Sequence, residues 1–243
     1  MMMSYFVGLK ILSLRLINTQ AEAILHFYKK LKPGFDLPAG VKIMNPFSDK
    51  TSWQLTEGFY RKFYSDTKPR IFIFGINPGR FGGGITGIPF TDPIRLQGTC
   101  GINNELRKLP ELSSLFVYEM IDDYGGVQSF YNDFFITALS PLGFVKHGKN
   151  LNYYDDKNLL KACEPFISES IRKQLKTIPA GTTCFCLGEG ENYKQFSRFN
   201  EQHHFFEKII PLPHPRWIMQ YRRKKMKEYI EMYVEKLKAE IWV

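Results

Sequence analysis

One stretch limits the possible folds of this chain more than any other: Arg70–Phe90, RIFIFGINPGRFGGGITGIPF. Its first five residues form an almost unbroken apolar run rich in Ile and Phe, the pattern of a strand buried on both faces. The chain then turns into a segment holding Gly79, Gly82, Gly83, Gly84 and Gly87 together with Pro78 and Pro89. Backbone with so few side chains can approach a ligand closely and present its N–H groups to it. One amide, Asn77, stands at the top of the strand and one aromatic ring, Phe90, closes the loop. This layout suits a pocket for a flat, polar ligand. It contains neither GxxxxGK[ST] nor a GxGxxG opening a helix, so a phosphate cradle fits it less well.

Around this stretch the pattern alternates between strands and helices. Ala21–Lys32 reads as a helix stopped by Pro33-Gly34, and Trp53–Tyr64 as a helix with Leu55, Phe59 and Phe63 on one face. Asn104–Leu109 and Ser113–Asp122 read as helices, the second ended by Gly125-Gly126. Asp133–Leu139, Thr182–Leu187 and Phe205–Leu212 read as further strands. Between them, Asn158–Ile178 predicts a helix that restarts at Pro165, and Trp217–Ile241 predicts a closing helix. Gly188-Glu189-Gly190 reads as a helix entry. Strands separated by helices imply right-handed crossovers. The expected fold is therefore α/β: a single-domain three-layer α/β/α sandwich on a central, mainly parallel four-stranded sheet. The domain is placed at residues 21–243, with residues 1–20 as an extension or first packed element. In such sheets the ligand crevice lies beyond the carboxyl ends of the strands. The glycine loop, the Ser140-Pro141 loop and the Pro213-His214-Pro215 segment each follow a strand, so all three should meet at one edge.

Composition narrows the partners. A net charge of +9 over 243 residues favours an anionic partner, with nucleic acid foremost. Cys100, Cys163, Cys184 and Cys186 form no CxxC pair, no zinc-ligand spacing with the five histidines and no iron–sulfur pattern. They read as buried free thiols in a reducing compartment. Met1–Ile17 is apolar but interrupted too early to span a bilayer, and it shows no clear small-residue cleavage site. No metal, no cofactor and no membrane are expected, and the chain is expected to be monomeric.

GINPGRFGGGITGIPF, followed much later by LPHPRW, resembles the uracil-DNA glycosylase superfamily, and most of all its single-strand-selective monofunctional branch. Those enzymes carry Gly-Met-Asn-Pro-Gly-Pro-Phe-Gly, then Thr-Gly-Val-Pro-Phe, and a His-Pro near the C-terminus. The matching positions here are Gly75, Asn77, Pro78, Gly79, Phe81 and Gly82, then Thr86–Phe90, then His214-Pro215. The resemblance implies base excision from DNA, with the target base flipped out of the stack into the pocket. It implies Asn77 as the residue that positions water and His214 as a neutral donor to the departing base. Ile76, Gly79, Phe81, Gly82, Gly83, Phe90, Thr137, Ala138 and Ser140 are the implied base contacts, with Phe90 stacking. Pro215, Arg216 and Trp217 are implied to face the duplex, Arg216 and Trp217 filling the gap left by the base. Beside them Arg222, Arg223 and Lys224 are read as phosphate contacts, whose binding weakens with salt. No lysine lies within the motifs, so hydrolysis without a Schiff base is implied. The implied setting is a bacterial-type cytoplasm or another reducing compartment that contains DNA.

Two departures stand out. The family has an asparagine after its second strand that reads the base edge, in a Phe-Val-His-Asn-Leu-Cys-Pro-Leu-like run. The run here is FITALSPL, which puts Ala138 at that position. The family also continues His-Pro-Ser-Pro-Arg, whereas this chain has His-Pro-Arg-Trp, two residues shorter. Ala138 keeps a second class in view, a binding protein that detects damaged bases or structured nucleic acid without cutting. A third is an enzyme acting on a free nucleotide or another phosphate ester. His203-His204 and Lys146-His147 are expected in surface loops without an assigned role.

Overall fold

The computed structural model describes residues 19–241, so the element expected at 1–17 lies outside the described residues. The chain starts with helix α1 (Gln20–Lys29), capped by the Thr19 hydroxyl, and a short strand β1 (Val41–Met44). Helix α2 (Lys50–Phe63) follows, with Leu55, Phe59 and Phe63 buried along one face as their spacing requires. Strand β2 (Arg70–Gly75) is buried at all six positions. Its one charged side chain, Arg70, donates to the Tyr131 and Lys68 carbonyls and to the Asp66 carboxylate at 2.8–2.9 Å, which satisfies the buried guanidinium.

After the glycine loop come short helices α3 (Gly83–Thr86) and α4 (Pro93–Gly98), then α5 (Leu112–Tyr124) and α6 (Gly126–Asp133). Asn104–Leu109 is not helical. The Asn104 side chain is buried and donates to the Pro93 carbonyl at 3.0 Å, holding the segment as a loop. Strand β3 (Phe134–Ala138) leads into a hairpin of β4 (Gly143–Lys146) and β5 (Lys149–Leu151). Its two turn residues, His147 and Gly148, both have positive φ, the mark of a tight hairpin turn.

Helix α7 (Lys157–Thr177) passes through Pro165 without restarting. Leu159, Cys163, Ile167 and Ile171 repeat every four residues along its buried face, and this packing outweighs the single hydrogen bond that the proline removes. Strand β6 (Ala180–Leu187), helix α8 (Glu191–His203) and strand β7 (Lys208–Leu212) complete the sheet. β7 starts three residues later than the sequence suggests, because the Asn200 side chain grips both the N–H and the carbonyl of Phe206 outside the ladder. The predicted closing helix is two: α9 (Pro215–Tyr221) and α10 (Met226–Ala239), separated by a 3₁₀ turn at Arg223–Lys225. Four adjacent cations at Arg222–Lys225, all exposed, are poorly placed in one continuous helix.

The main sheet has strand order β3-β2-β6-β7 with every pair parallel, and helices cover its faces. β2 is the first strand of the sheet and has β3 on one side and β6 on the other, so the chain reverses direction of travel at its carboxyl end. That is where an open α/β sheet forms its crevice. A second, antiparallel sheet of order β1-β4-β5 lies outside the predicted architecture. It carries β5 and the residues after it towards the glycine loop, where Asn150 accepts a hydrogen bond from the Arg80 N–H at 3.0 Å. All four cysteines are buried, and burial raises their thiols, Cys100 to about 11 and Cys163 to about 12. Among the described residues no helix is long and apolar enough to cross a membrane.

Candidate functional site

Gly75 ends β2 opposite Ala138 of β3, and Leu212 ends β7 opposite Leu187 of β6. Two residues beyond each of these strand ends stand Asn77 and His214. Both line one cavity of about 350 Å³. Phe90 lines it too, its ring centroid 5.8 Å from that of His214. The Phe90 ring lies so close to Gly75 that a Cβ there would come within 2.9 Å of it. Phe90 itself has φ 52°, an uncommon conformation for an aromatic residue that the packed loop must hold. Gly84 supports the same loop, since a Cβ at that position would stand 2.1 Å from the Gly79 carbonyl oxygen.

The Asn77 amide is oriented by backbone. Its Oδ1 accepts the Tyr153 N–H at 3.0 Å, while its Nδ2 donates to the Leu151 and Pro78 carbonyls at 3.3 Å. Donor and acceptor partners on opposite sides fix which way the amide points. Oδ1 keeps its second lone pair for another donor. Tyr153 is fully buried, and its phenol donates to Asn192 Oδ1 at 3.1 Å, which anchors the segment to α8.

His214 is the residue that caps α9. Its Nδ1 accepts the Arg216 N–H at 3.1 Å, so the neutral imidazole carries its proton on Nε2. Burial, and after it the positive charge of Arg216, push its pKa from 6.5 down to about 4. The Tyr233 phenol donates to the Pro213 carbonyl and ties α10 to this corner.

Of the residues singled out in the sequence, Ile76, Asn77, Gly79, Phe81, Gly83, Phe90, Ala138, His214, Arg216 and Trp217 line the cavity. Thr137 and Ser140 do not. Both are fully buried behind the wall, Thr137 donating to Gln174 Oε1 at 2.7 Å and Ser140 to the Leu142 carbonyl at 2.8 Å. Successive strand residues face opposite ways, so with Ala138 towards the cavity Thr137 must turn from it. Gly82 also falls outside the wall, capping α3 with φ 62° against the Glu111 side chain. Pro215 is buried in the first turn of α9.

At the mouth, Trp217 and Tyr221 are exposed, and the Arg222 guanidinium lies 5.1 Å from the Trp217 ring centroid. Arg222, Arg223 and Lys224 are exposed beside it but are not part of the wall. Arg216 stands 4.0 Å from Glu111, whose carboxylate also caps α5. Sequence reasoning missed Tyr28, Phe47, Glu111, Asn150, Asn152 and Tyr154, all of which line the cavity. The His147-Gly148 turn flanked by alternating residues could have revealed the hairpin that brings Asn150 and Asn152. Nothing local marks Tyr28 or Phe47. Among the described residues no cluster of three His, Cys, Asp or Glu side chains is placed to hold a metal ion.

A family model described as the Uracil DNA glycosylase superfamily matches residues 61–238. The crystal structure of wild-type SMUG2 from Pedobacter heparinus is similar to this one. It has 45% sequence identity and a TM-score of 0.88, with the match covering 91% of this chain and 97% of that one. No curated protein sequence matches the chain. The parallel sheet, the loop that follows its central strand and the late histidine thus coincide with a match spanning most of the sequence, and the chain belongs to the uracil DNA glycosylase superfamily.

Proposed function

We propose that the protein is a monofunctional DNA glycosylase that hydrolyses the N-glycosidic bond of uracil or a related deaminated or oxidised pyrimidine in DNA, leaving an abasic site. The observation that carries this reading is the meeting of the oriented Asn77 amide and the Nε2–H form of His214 in one cavity bounded by the Phe90 ring. A flipped base stacks on Phe90, with the glycine loop beside it. Asn77 Oδ1 accepts a hydrogen bond from the attacking water and aims its oxygen at the sugar carbon. Being uncharged, it orients the water and is a poor proton acceptor. As the bond from sugar to base breaks, its electron pair stays with the base. His214 Nε2–H donates to the base oxygen on which that charge gathers. The water oxygen ends on the sugar carbon, and the proton it loses neutralises the base. Arg216 and Trp217 stand at the mouth to occupy the gap in the stack, with the Arg222–Lys224 cations on the flanking phosphates. Buried thiols suit a reducing compartment such as a bacterial cytoplasm.

The test is release of uracil from an oligonucleotide, read as strand scission after hot alkali. Product is expected with the wild-type protein. If folded protein gives none with any altered base, the reading is wrong. Salt-sensitive binding without base release would then favour a damage-binding protein, the alternative that Ala138 suggests.

The pH profile gives a second expectation. Protonating Nδ1 of His214 would break its hydrogen bond with the Arg216 N–H, so the working form is the neutral one. With the imidazole at about 4, single-turnover rates should hold from pH 7 to 5 and fall only below that. An acid limb near 6.5 would show an ordinary, solvated histidine instead. Stability should move with the same group. Between about 4 and 6.5 the unfolded chain binds the proton and the folded one does not, so stability rises with pH across that window.

A further inference from the structure

We propose that Tyr28 reads the edge of the bound base, in the place of the amide that Ala138 cannot supply; this rests on the glycosylase reading above. Ala138 faces the cavity with only a methyl group, and Tyr28 of α1 lines the same cavity. Phe47 holds the Tyr28 ring by stacking on it, with centroids 4.1 Å apart and planes 17° from parallel. Tyr28 is 2% exposed, so its position is set by packing and not by solvent.

The hydrogen bonds behind the wall decide what the phenol can offer. Gln174 Nε2 donates to the Ser170 carbonyl, which turns its Oε1 towards Thr137. Thr137 commits its hydroxyl proton to that Oε1 at 2.7 Å. Towards Tyr28 it therefore presents only an acceptor. The two hydroxyl oxygens are 3.5 Å apart, the outer limit of a hydrogen bond. The other neighbour of Tyr28 is the buried Tyr60 hydroxyl, which has no further hydrogen-bond partner among the described residues and can donate to the Tyr28 oxygen. The Tyr28 proton is thus left with the long Thr137 contact, and a better acceptor in the cavity would take it. The Tyr28 oxygen can still accept from a ring N–H. Burial raises the phenol further above its ordinary pKa, which keeps it a donor at any working pH.

Three side-chain amides of the wall are already engaged. Asn77 is bonded on both its amide atoms, Asn152 donates its side-chain amide to Asp155, and Asn150 is exposed at the rim with its oxygen on Arg80. A buried donor beside an aromatic floor suits a base with an exocyclic oxygen at its edge better than one with an amino group there. Deamination makes that exchange. Both Tyr28 and Phe47 precede the segment matched by the superfamily model, which begins at residue 61.

The experiment compares the wild-type protein with Tyr28→Phe. Affinity is measured for an oligonucleotide carrying uncleavable 2′-fluorinated deoxyuridine and for one carrying a tetrahydrofuran abasic analogue. Wild-type cleavage of a uracil oligonucleotide is followed in parallel. Tyr28→Phe is expected to lower the uracil-to-abasic affinity ratio about tenfold, the factor one buried hydrogen bond of typical strength supplies, while abasic-analogue binding stays unchanged. An unchanged ratio overturns the proposal and leaves the glycosylase reading intact. Absence of base release by the folded wild-type protein from uracil and from every other altered-base oligonucleotide defeats both. Should Tyr28→Phe fail to fold, 3-fluorotyrosine placed at position 28 decides. Its ¹⁹F resonance should shift with the uracil oligonucleotide and not with the abasic one, and equal response to both also overturns the assignment.

Discussion

Replacing His214 by alanine is expected to slow base release about 10²–10³-fold, the usual loss when one preorganised donor to a developing anion is removed. The geometry makes the donor role specific. With the Arg216 N–H on Nδ1, the only N–H the neutral ring can offer is Nε2–H, and the packing beside Phe90 spares it reorientation during the reaction. Alanine also removes the cap of α9, for which about 1 kcal/mol of stability is expected to be lost. The two effects separate by measurement. Single-turnover cleavage reports the first, the thermal midpoint the second, and affinity for the abasic-analogue oligonucleotide should change little. If the rate falls only as far as affinity does, His214 is a contact and not a stabiliser of the leaving base.

The second large effect belongs to Asn77. Asn77→Ala should cost about 10²-fold or more in the single-turnover rate, because the attacking water loses its orientation. Affinity for substrate should be nearly unaffected. Asn77→Asp makes a sharper test. A carboxylate can still accept the Tyr153 N–H, but its other oxygen would face the Leu151 and Pro78 carbonyls with no proton to give. The aspartate variant should therefore be slower than wild type and less stable at neutral pH, although a carboxylate is the stronger base. An aspartate variant as fast and as stable as the wild type would mean that the amide is not held as described. The lock on Asn77 comes from the β5 hairpin and the turn after it, so hairpin changes that move residues 151–153 should act on rate before they act on binding.

Much of this site was legible because the constraints that make it are local. A strand buried on both faces needs a continuous apolar run, and a loop pressed against its end needs glycines where a Cβ would collide with backbone, as at Gly84. Those requirements appear within twenty residues of one another. The His214-Pro215 start of α9 is equally local: a cap, then a proline in the first turn. The parallel order followed from strands separated by helices, and with it the convergence of Asn77 and His214.

What failed was whatever depended on a neighbour distant in sequence. Thr137 and Ala138 look alike as candidates, but which of the two faces the cavity is set by pairing of β3 with β2. Pro165 should have interrupted α7, and burial of its four-residue repeat, with α1 packed against the helix, prevented it.

The sequence by itself determined the sheet's central strand, the glycine loop and the two residues, Asn77 and His214, at the strand ends. Each is written in a short run whose backbone needs are met by the run itself. Only the tertiary structure decided how Asn77 is oriented, in what form His214 is held, and which side chain from the start of the chain joins Ala138 in the cavity wall. Those three depend on the Tyr153 N–H, on burial beside Arg216, and on a tyrosine from the first described helix. Hydrogen-bond direction and desolvation arise between segments, and no local pattern encodes them.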